Sequence, residues 1–161
     1  MNNEKALSLP DRQGAPPETS RPSRERPFPH SQLNQNAPRE LQEALFERAR
    51  ELPGVTVGDS LVSVPGARAF HLDDEHAEGP RSAFQAGTEF AHLHPPHDGS
   101  LHLTLPPGAY EEVRAKGWGE PHPVSGTMML FGPRDDSELE IVWKIVQSSY
   151  RYATGVLRDD G

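Results

Sequence analysis

From Pro38 onward, apolar side chains recur at helical spacing: Leu41, Ala44, Leu45 and Leu52 line one face together with Arg48. Asn36 is the expected cap of this helix and Pro53-Gly54 its stop. The period then shortens. Val55 to Val57, Leu61 to Val64 and Ala67 to Leu72 read as β-type segments, with a break at Pro65-Gly66, and residues 73–82 read as a polar surface loop. Pro107 opens a second helix near Ala109 to Lys116, with Glu111 and Glu112 early, Lys116 late and Gly117 as the stop. Met128 to Phe131 is a short apolar strand. The last helix begins at Ser137-Glu138-Leu139-Glu140, a capping-box spacing. Its stripe is Leu139, Val142, Trp143, Val146, Tyr150 and Ala153, widened by Ile141 and Ile145 and ended by Gly155. The order predicts an α+β fold, a mainly antiparallel sheet with about three helices packed on one side.

Residues 1–37 break this pattern. They hold six prolines but only five large apolar side chains, Met1, Leu7, Leu9, Phe28 and Leu33. Such a stretch buries little surface against its ordering entropy, so it is expected to be a flexible, disordered proline-rich tail ahead of one domain over 38–157. The 161 residues carry 16 basic and 24 acidic side chains, a formal charge of −8 that disfavours nucleic acid and anionic lipid as partners. The absence of cysteine excludes a disulfide scaffold, a thiolate zinc site and a thiol nucleophile. No apolar run is long enough for a membrane span and no signal-peptide pattern opens the chain, so a cytoplasmic protein acting on a small molecule is expected. Oligomeric state leaves no mark in the sequence.

Five of the eight histidines fall between positions 92 and 122. In Ala91-His92-Leu93-His94 the leucine and alanine point one way and the histidines the other; Leu101-His102-Leu103-Thr104 alternates likewise. A loop over 95–99 makes opposed residue numbers sum to 194, so that His92 faces His102, Leu93 faces Leu101 and His94 faces Ser100. A two-residue Asp98-Gly99 turn would mix leucines and histidines on one face, which a half-buried sheet disfavours, and Pro95-Pro96 cannot sit in a ladder. His92, His94 and His102 are therefore expected on one face, with His97 and Asp98 at its rim and His122 bordering it. Three readings stand. One is a solvated polar face. Another is a metal site for zinc, iron or copper with His92, His94 and His102 as ligands and Asp98 or Glu89 as oxygen ligand or orienting partner. The last is a metal-free pocket whose imidazoles exchange protons with substrate.

The run Glu89-Phe90-Ala91-His92-Leu93-His94, then His97-Asp98, Leu101-His102-Leu103, Lys116-Gly117-Trp118-Gly119, His122-Pro123, Gly126 and Pro133-Arg134 resembles the luciferase-like domain of the fungal luciferases, over about residues 86–155. The resemblance implies oxygen chemistry without an organic cofactor, with O₂ as co-substrate. The fungal relatives oxidise a hydroxylated α-pyrone through a peroxide that loses CO₂ and emits light. Carried onto this chain, His92, His94, His97, Asp98, His102 and His122 are the implied catalytic positions, and Trp118, Arg134 and Glu89 the implied substrate-contacting ones. Trp118 also suits a packing anchor between Gly117 and Gly119, and Arg134 a partner of the Asp135-Asp136 turn. The chain departs from the fungal pattern after His122-Pro123, where a longer loop is absent. The alternatives are a His-cluster metalloenzyme using a divalent metal and a non-catalytic module that binds a small ligand or a protein.

Overall fold

Antiparallel pairing throughout builds the sheet of the computed structural model, which describes residues 6–157. Its strands are β1 (Val55–Asp59), β2 (Arg68–Leu72), β3 (Glu89–Leu93), β4 (Leu101–Leu103), β5 (Gly119–Pro121) and β6 (Met128–Leu130), in the order β1-β2-β3-β4-β6-β5. Three helices, α1 (Arg39–Arg50), α2 (Pro107–Ala115) and α3 (Asp136–Ala153), complete the expected α+β fold. None of them is long and apolar enough to cross a membrane.

The core forms where the apolar halves of the strands meet the helices. Phe70, Phe90, Leu93, Leu101, Leu103 and Leu130 pack with Leu45 and Phe46 of α1, Val113 of α2 and Val142, Ile145 and Val146 of α3. Full burial of each such side chain contributes about 1.5–3 kcal/mol. Directly opposed residues on the other face form a row across the sheet: Ala69, His92, His102, Met129 and Glu120. The histidines thus stand on the face turned away from the main core.

Four local expectations differ from the structure. Residues 61–64 form no strand, because the Leu61 amide donates to Glu89 and the Val62 amide to Ser60 rather than to a ladder. Asn36 does not cap α1; its amide donates to the Gln32 and Asp98 carbonyls, and Pro38 holds the N-cap position. The cap of α3 lies two residues earlier than the capping-box spacing suggests, with Asp135 accepting from the Glu138 amide. Strand β5 gave no apolar signal because Gly119, Glu120 and Pro121 carry none.

The largest difference concerns the expected flexible tail. Met1 to Lys5 lie outside the described residues, but residues 6–37 are laid against the body. Leu9 is buried in the core, the Leu9 amide donates to Glu112, the Arg12 amide to the Lys116 carbonyl, and the Trp118 indole N–H to the Pro10 carbonyl at 2.7 Å. Farther along, Gln32 is 2% exposed and its Oε1 accepts from the Gly132 amide, while its Nε2 donates to the Asn34 and Gln35 carbonyls. The segment is ordered by polar side chains and backbone groups turned inward, a mode that apolar counting does not register. Residues 27–31 of this strap lie over the histidine face.

Strap, hairpin loop and sheet come closest at Gly132. A Cβ there would lie 2.7 Å from the Gly99 carbonyl oxygen and 2.9 Å from Ala37 Cβ. Gly132→Ala must push the loop or the strap outward, and a loss of about 1–3 kcal/mol is expected from urea denaturation; an unchanged midpoint would refute this close packing.

Candidate functional site

The β3–β4 register is the expected one: Ala91 opposes Leu103, His92 opposes His102 and Leu93 opposes Leu101, and the His94 amide donates to the Ser100 carbonyl. His92, His94 and His102 therefore share a face, and all three are buried, at 2%, 4% and 5% exposure. One nitrogen from each lies within 4.8 Å of the others.

A bulge adds a fourth group. Phe70 opposes Ala91, whereas His71 opposes Glu89, so Phe90 is an extra residue in β3. Strict alternation would place Glu89 on the face of Ala91 and Leu93. The bulge turns it to the histidine side, as bulges beside functional sites commonly do. There the fully buried Glu89 carboxylate accepts from His92 Nδ1 at 2.8 Å, from the Leu61 amide at 2.8 Å and from Ser60 Oγ at 2.9 Å. Burial would raise the Glu89 carboxyl, but these hydrogen bonds prevail and hold it below the usual carboxylate range.

Asp98 plays the corresponding part for His94. Its Oδ1 accepts from the Ser100 amide and hydroxyl, and the Ser100 oxygen stands 2.8 Å from His94 Nδ1. Asp98 Oδ2 lies 3.3 Å from the same nitrogen. Burial acts to raise this carboxyl too, and the partners His94 and Ser100 bring it below its usual value.

His102 has imidazoles on both sides: Nδ1 is 2.9 Å from His94 Nε2 and Nε2 is 2.8 Å from His30 Nδ1. His30, 4% exposed and supplied by the strap, also faces Glu120, its Nε2 standing 3.6 Å from Oε1. His122 is fixed by three hydrogen bonds. Its Nδ1 accepts from the Val124 and Ser125 amides, so Nε2 carries the proton donated to the Pro27 carbonyl.

Beneath residues 27–31 these groups enclose a cavity of about 220 Å³, lined by His30, His92, His94, His102 and His122, with Val62 to Val64 and Val124 to Thr127 along its other sides. His92 Nε2 is buried and has no hydrogen-bond partner. Its Nδ1–H is committed to Glu89, so Nε2 presents a lone pair in a mostly apolar pocket.

The structure thus brings together Glu89, His92, His94, Asp98, His102 and His122 of the implied residues. The other three stand elsewhere. His97 is exposed on the loop between β3 and β4. Trp118 is a packing anchor bonded to Pro10, and Arg134 is bound by Glu138, Gln35 and the Gln13 carbonyl, outside the cavity. Neither Trp118 nor Arg134 faces the histidines. His30, Glu120 and Ser60 were not anticipated. The one trace of His30 in the sequence is its spacing from Gln32, two polar residues turned inward on extended backbone while Leu33 points out at 57% exposure.

Burial, reinforced by the neighbouring imidazoles, lowers the proton affinity of His102 well below the ordinary histidine value; burial lowers that of His92 despite the Glu89 hydrogen bond. Both therefore resist protonation in the fold more than in the unfolded chain, where histidine titrates at about 6.5. Below that pH the unfolded state binds more protons, so stability present above it is lost as pH falls. The expected slope in the metal-free chain is up to about 1.4 kcal/mol per pH unit per histidine. Urea midpoints between pH 8 and pH 5 check this, and a flat profile would contradict it.

Comparison with known proteins falls on this part of the chain. Residues 87–149 match the family model of the luciferase domain. A luciferase of Armillaria ostoyae is 39% identical over 75 residues, which cover 41% of this chain and 28% of the relative. Luciferases of Armillaria gallica and Neonothopanus nambi are 37% and 39% identical over 75 residues, with the same coverage. The match therefore spans about 28% of the length of these curated relatives. No solved structure matches. The resemblance read over 86–155 is borne out over 87–149, which spans β3 to β6, the hairpin loop, α2 and most of α3.

Proposed function

We propose that this chain is a luciferase-like, oxygen-using enzyme that oxidises a compact, flat, enolisable substrate, a hydroxypyrone or related hydroxylated aromatic. The observation that carries this reading is His92 Nε2, a buried, unpartnered lone pair on the wall of the cavity and backed by a carboxylate. In the proposal His92 takes the acidic enol proton, and Glu89 holds the ring in the tautomer that leaves Nε2 free and stabilises the imidazolium formed. The electron-rich enolate then reacts with O₂ to give a peroxide, whose collapse expels CO₂. The proton that His92 takes up stays on Nε2, and this imidazolium, paired with Glu89, faces the negative charge that develops on oxygen, in a pocket where few waters compete. A cavity of about 220 Å³ lies at the small end of ligand sites and favours a single ring over an extended one. Light is one outlet for the energy released.

An anaerobic titration separates the base from the oxygen step. Under nitrogen, a 3-hydroxy-2-pyrone added to the protein should show the red-shifted absorption of its enolate at a pH where the free compound is protonated. Admission of air should then bleach that band with release of CO₂, followed together with light emission. A folded protein that binds no member of a panel of hydroxypyrones and catechols would overturn the proposal. Binding with no bleaching in air would leave a ligand-binding module.

A further inference from the structure

Hydrogen-bond accounting in the cluster leaves a charge missing. Carboxylates accept and never donate, so Glu89 fixes the proton of His92 on Nδ1, and Asp98 with Ser100 fixes that of His94 on Nδ1. Each ring then turns an unprotonated Nε2 inward. One ring farther out, His30 Nε2 faces Glu120 Oε1 at 3.6 Å, an ion-pair distance and not a hydrogen bond; with its proton drawn to that nitrogen, His30 accepts at Nδ1 from His102 Nε2, and His102 turns an unprotonated Nδ1 inward. That nitrogen stands 2.9 Å from His94 Nε2. Two lone pairs at that distance repel unless a cation lies against them, and His92 Nε2 is buried beside them without a partner.

We infer that His92 Nε2, His94 Nε2 and His102 Nδ1 form a three-histidine site for one divalent first-row transition ion, with its open positions facing the cavity under the strap. Histidine ligands characteristically donate their outer N–H to a carboxylate or another acceptor, which orients the ring and raises its basicity. Here every one of the three has such a partner: Glu89 behind His92, Asp98 and Ser100 behind His94, and His30 leading to Glu120 behind His102. Three neutral nitrogens suit zinc, iron or copper rather than calcium or magnesium, which require oxygen. Ligand nitrogens on a tetrahedral ion at about 2.0 Å stand roughly 3.3 Å apart, so His94 and His102, 2.9 Å apart, would separate by a few tenths of an ångström, and the spread of the trio, up to 4.8 Å, would contract around the ion. A bound ion would take the His92 lone pair that the metal-free reading uses as the base, so in a loaded chain the enolate would be stabilised at the ion instead; the site rests on the oxygen-using reading only for what the ion would do.

Untagged protein, stripped with a chelator and titrated with Co²⁺, tests the site without any substrate. One cobalt per chain with visible d–d absorption is expected. Glu89→Gln should weaken binding about 10–100-fold with the fold unchanged by circular dichroism. His102→Ala should abolish stoichiometric binding, and His71→Ala, on β2 with its ring against the Asp59 carbonyl, should leave it intact. Absence of bound cobalt in a folded chain, or binding unaffected by both His92→Ala and His102→Ala, overturns the inference. Because the readout is spectroscopic, the two proposals fail separately. A metal-free chain that still consumes oxygen removes the ion and keeps the enzyme; a cobalt-loaded chain that turns over no substrate keeps the site and removes the oxidation.

Discussion

His92→Ala is expected to lower turnover of a hydroxypyrone by about 10²–10⁴-fold, the usual contribution of a positioned base, while the chain keeps its fold. The direction follows from where the imidazole sits. The residue is 2% exposed and its Nδ1–H is one of three donors to Glu89, so truncation leaves that carboxylate with the Leu61 amide and Ser60. These remaining donors hold the loop over 60–62 in place, and the freed volume joins an existing cavity instead of opening a void in the main core. A merely structural histidine would give the opposite pattern, with stability falling and turnover per folded molecule unchanged. Glu89→Gln separates the two further. It keeps the packing but removes the charge that stabilises the imidazolium, so the acid limb of the turnover profile should move to lower pH, because His92 is easier to deprotonate, and the plateau rate should fall, because it is a poorer base. Steady-state rates across pH 5–9 with folding checked at each pH decide between these outcomes.

A chain lacking residues 1–37 is expected to lose about 3 kcal/mol or more of stability and to be inactive. Leu9 leaves the core, and Trp118 and Phe131, now 3% and 4% exposed beneath Pro10 and Arg12, lose their cover. Burial of side chains of that size contributes about 1.5–3 kcal/mol each. The cavity also loses the wall formed by residues 27–31, so water would reach His92 and His102 and remove the desolvation that disfavours their protonation. Limited proteolysis of the intact chain gives the complementary reading. Sites within 9–12 and 29–37 should be protected, with cleavage confined to the exposed stretch around Ser23 to Arg26. Rapid trimming of the whole segment to a cooperative core would show that the strap contributes neither stability nor a wall.

These two results bear on how much of the molecule is legible in its sequence. Where one face of an element is buried, alternation specifies register strongly, and leucine opposite leucine on β3 and β4 is enough to place His92 against His102. The helices were legible for the same reason, through the stripe of α3 and the proline and glycine at the ends of α2. Alternation fails at Phe90, because a bulge leaves no compositional trace and yet reverses the side to which Glu89 points. Apolar counting fails in the strap, where Gln32 and His30 are buried and Phe28 and Leu33 are exposed at 54% and 57%. Order there rests on amide-to-carbonyl pairs between segments about a hundred residues apart, such as Gln32 with Gly132. Sequence motifs also gave Trp118 and Arg134 a substrate role that their bonds to Pro10 and Glu138 do not support. Resemblance of a stretch marks residues that a fold holds in common without separating those that face a cavity from those that anchor it.

The proposed use of oxygen in the histidine cavity is tested most directly with an oxygen electrode. Purified chain mixed with a 3-hydroxy-2-pyrone in air-saturated buffer should consume one O₂ and release one CO₂ per substrate, with no consumption by His92→Ala beyond the uncatalysed rate. Oxygen consumed equally by the wild type and His92→Ala, or not consumed at all by a folded wild type that binds the pyrone, would contradict it.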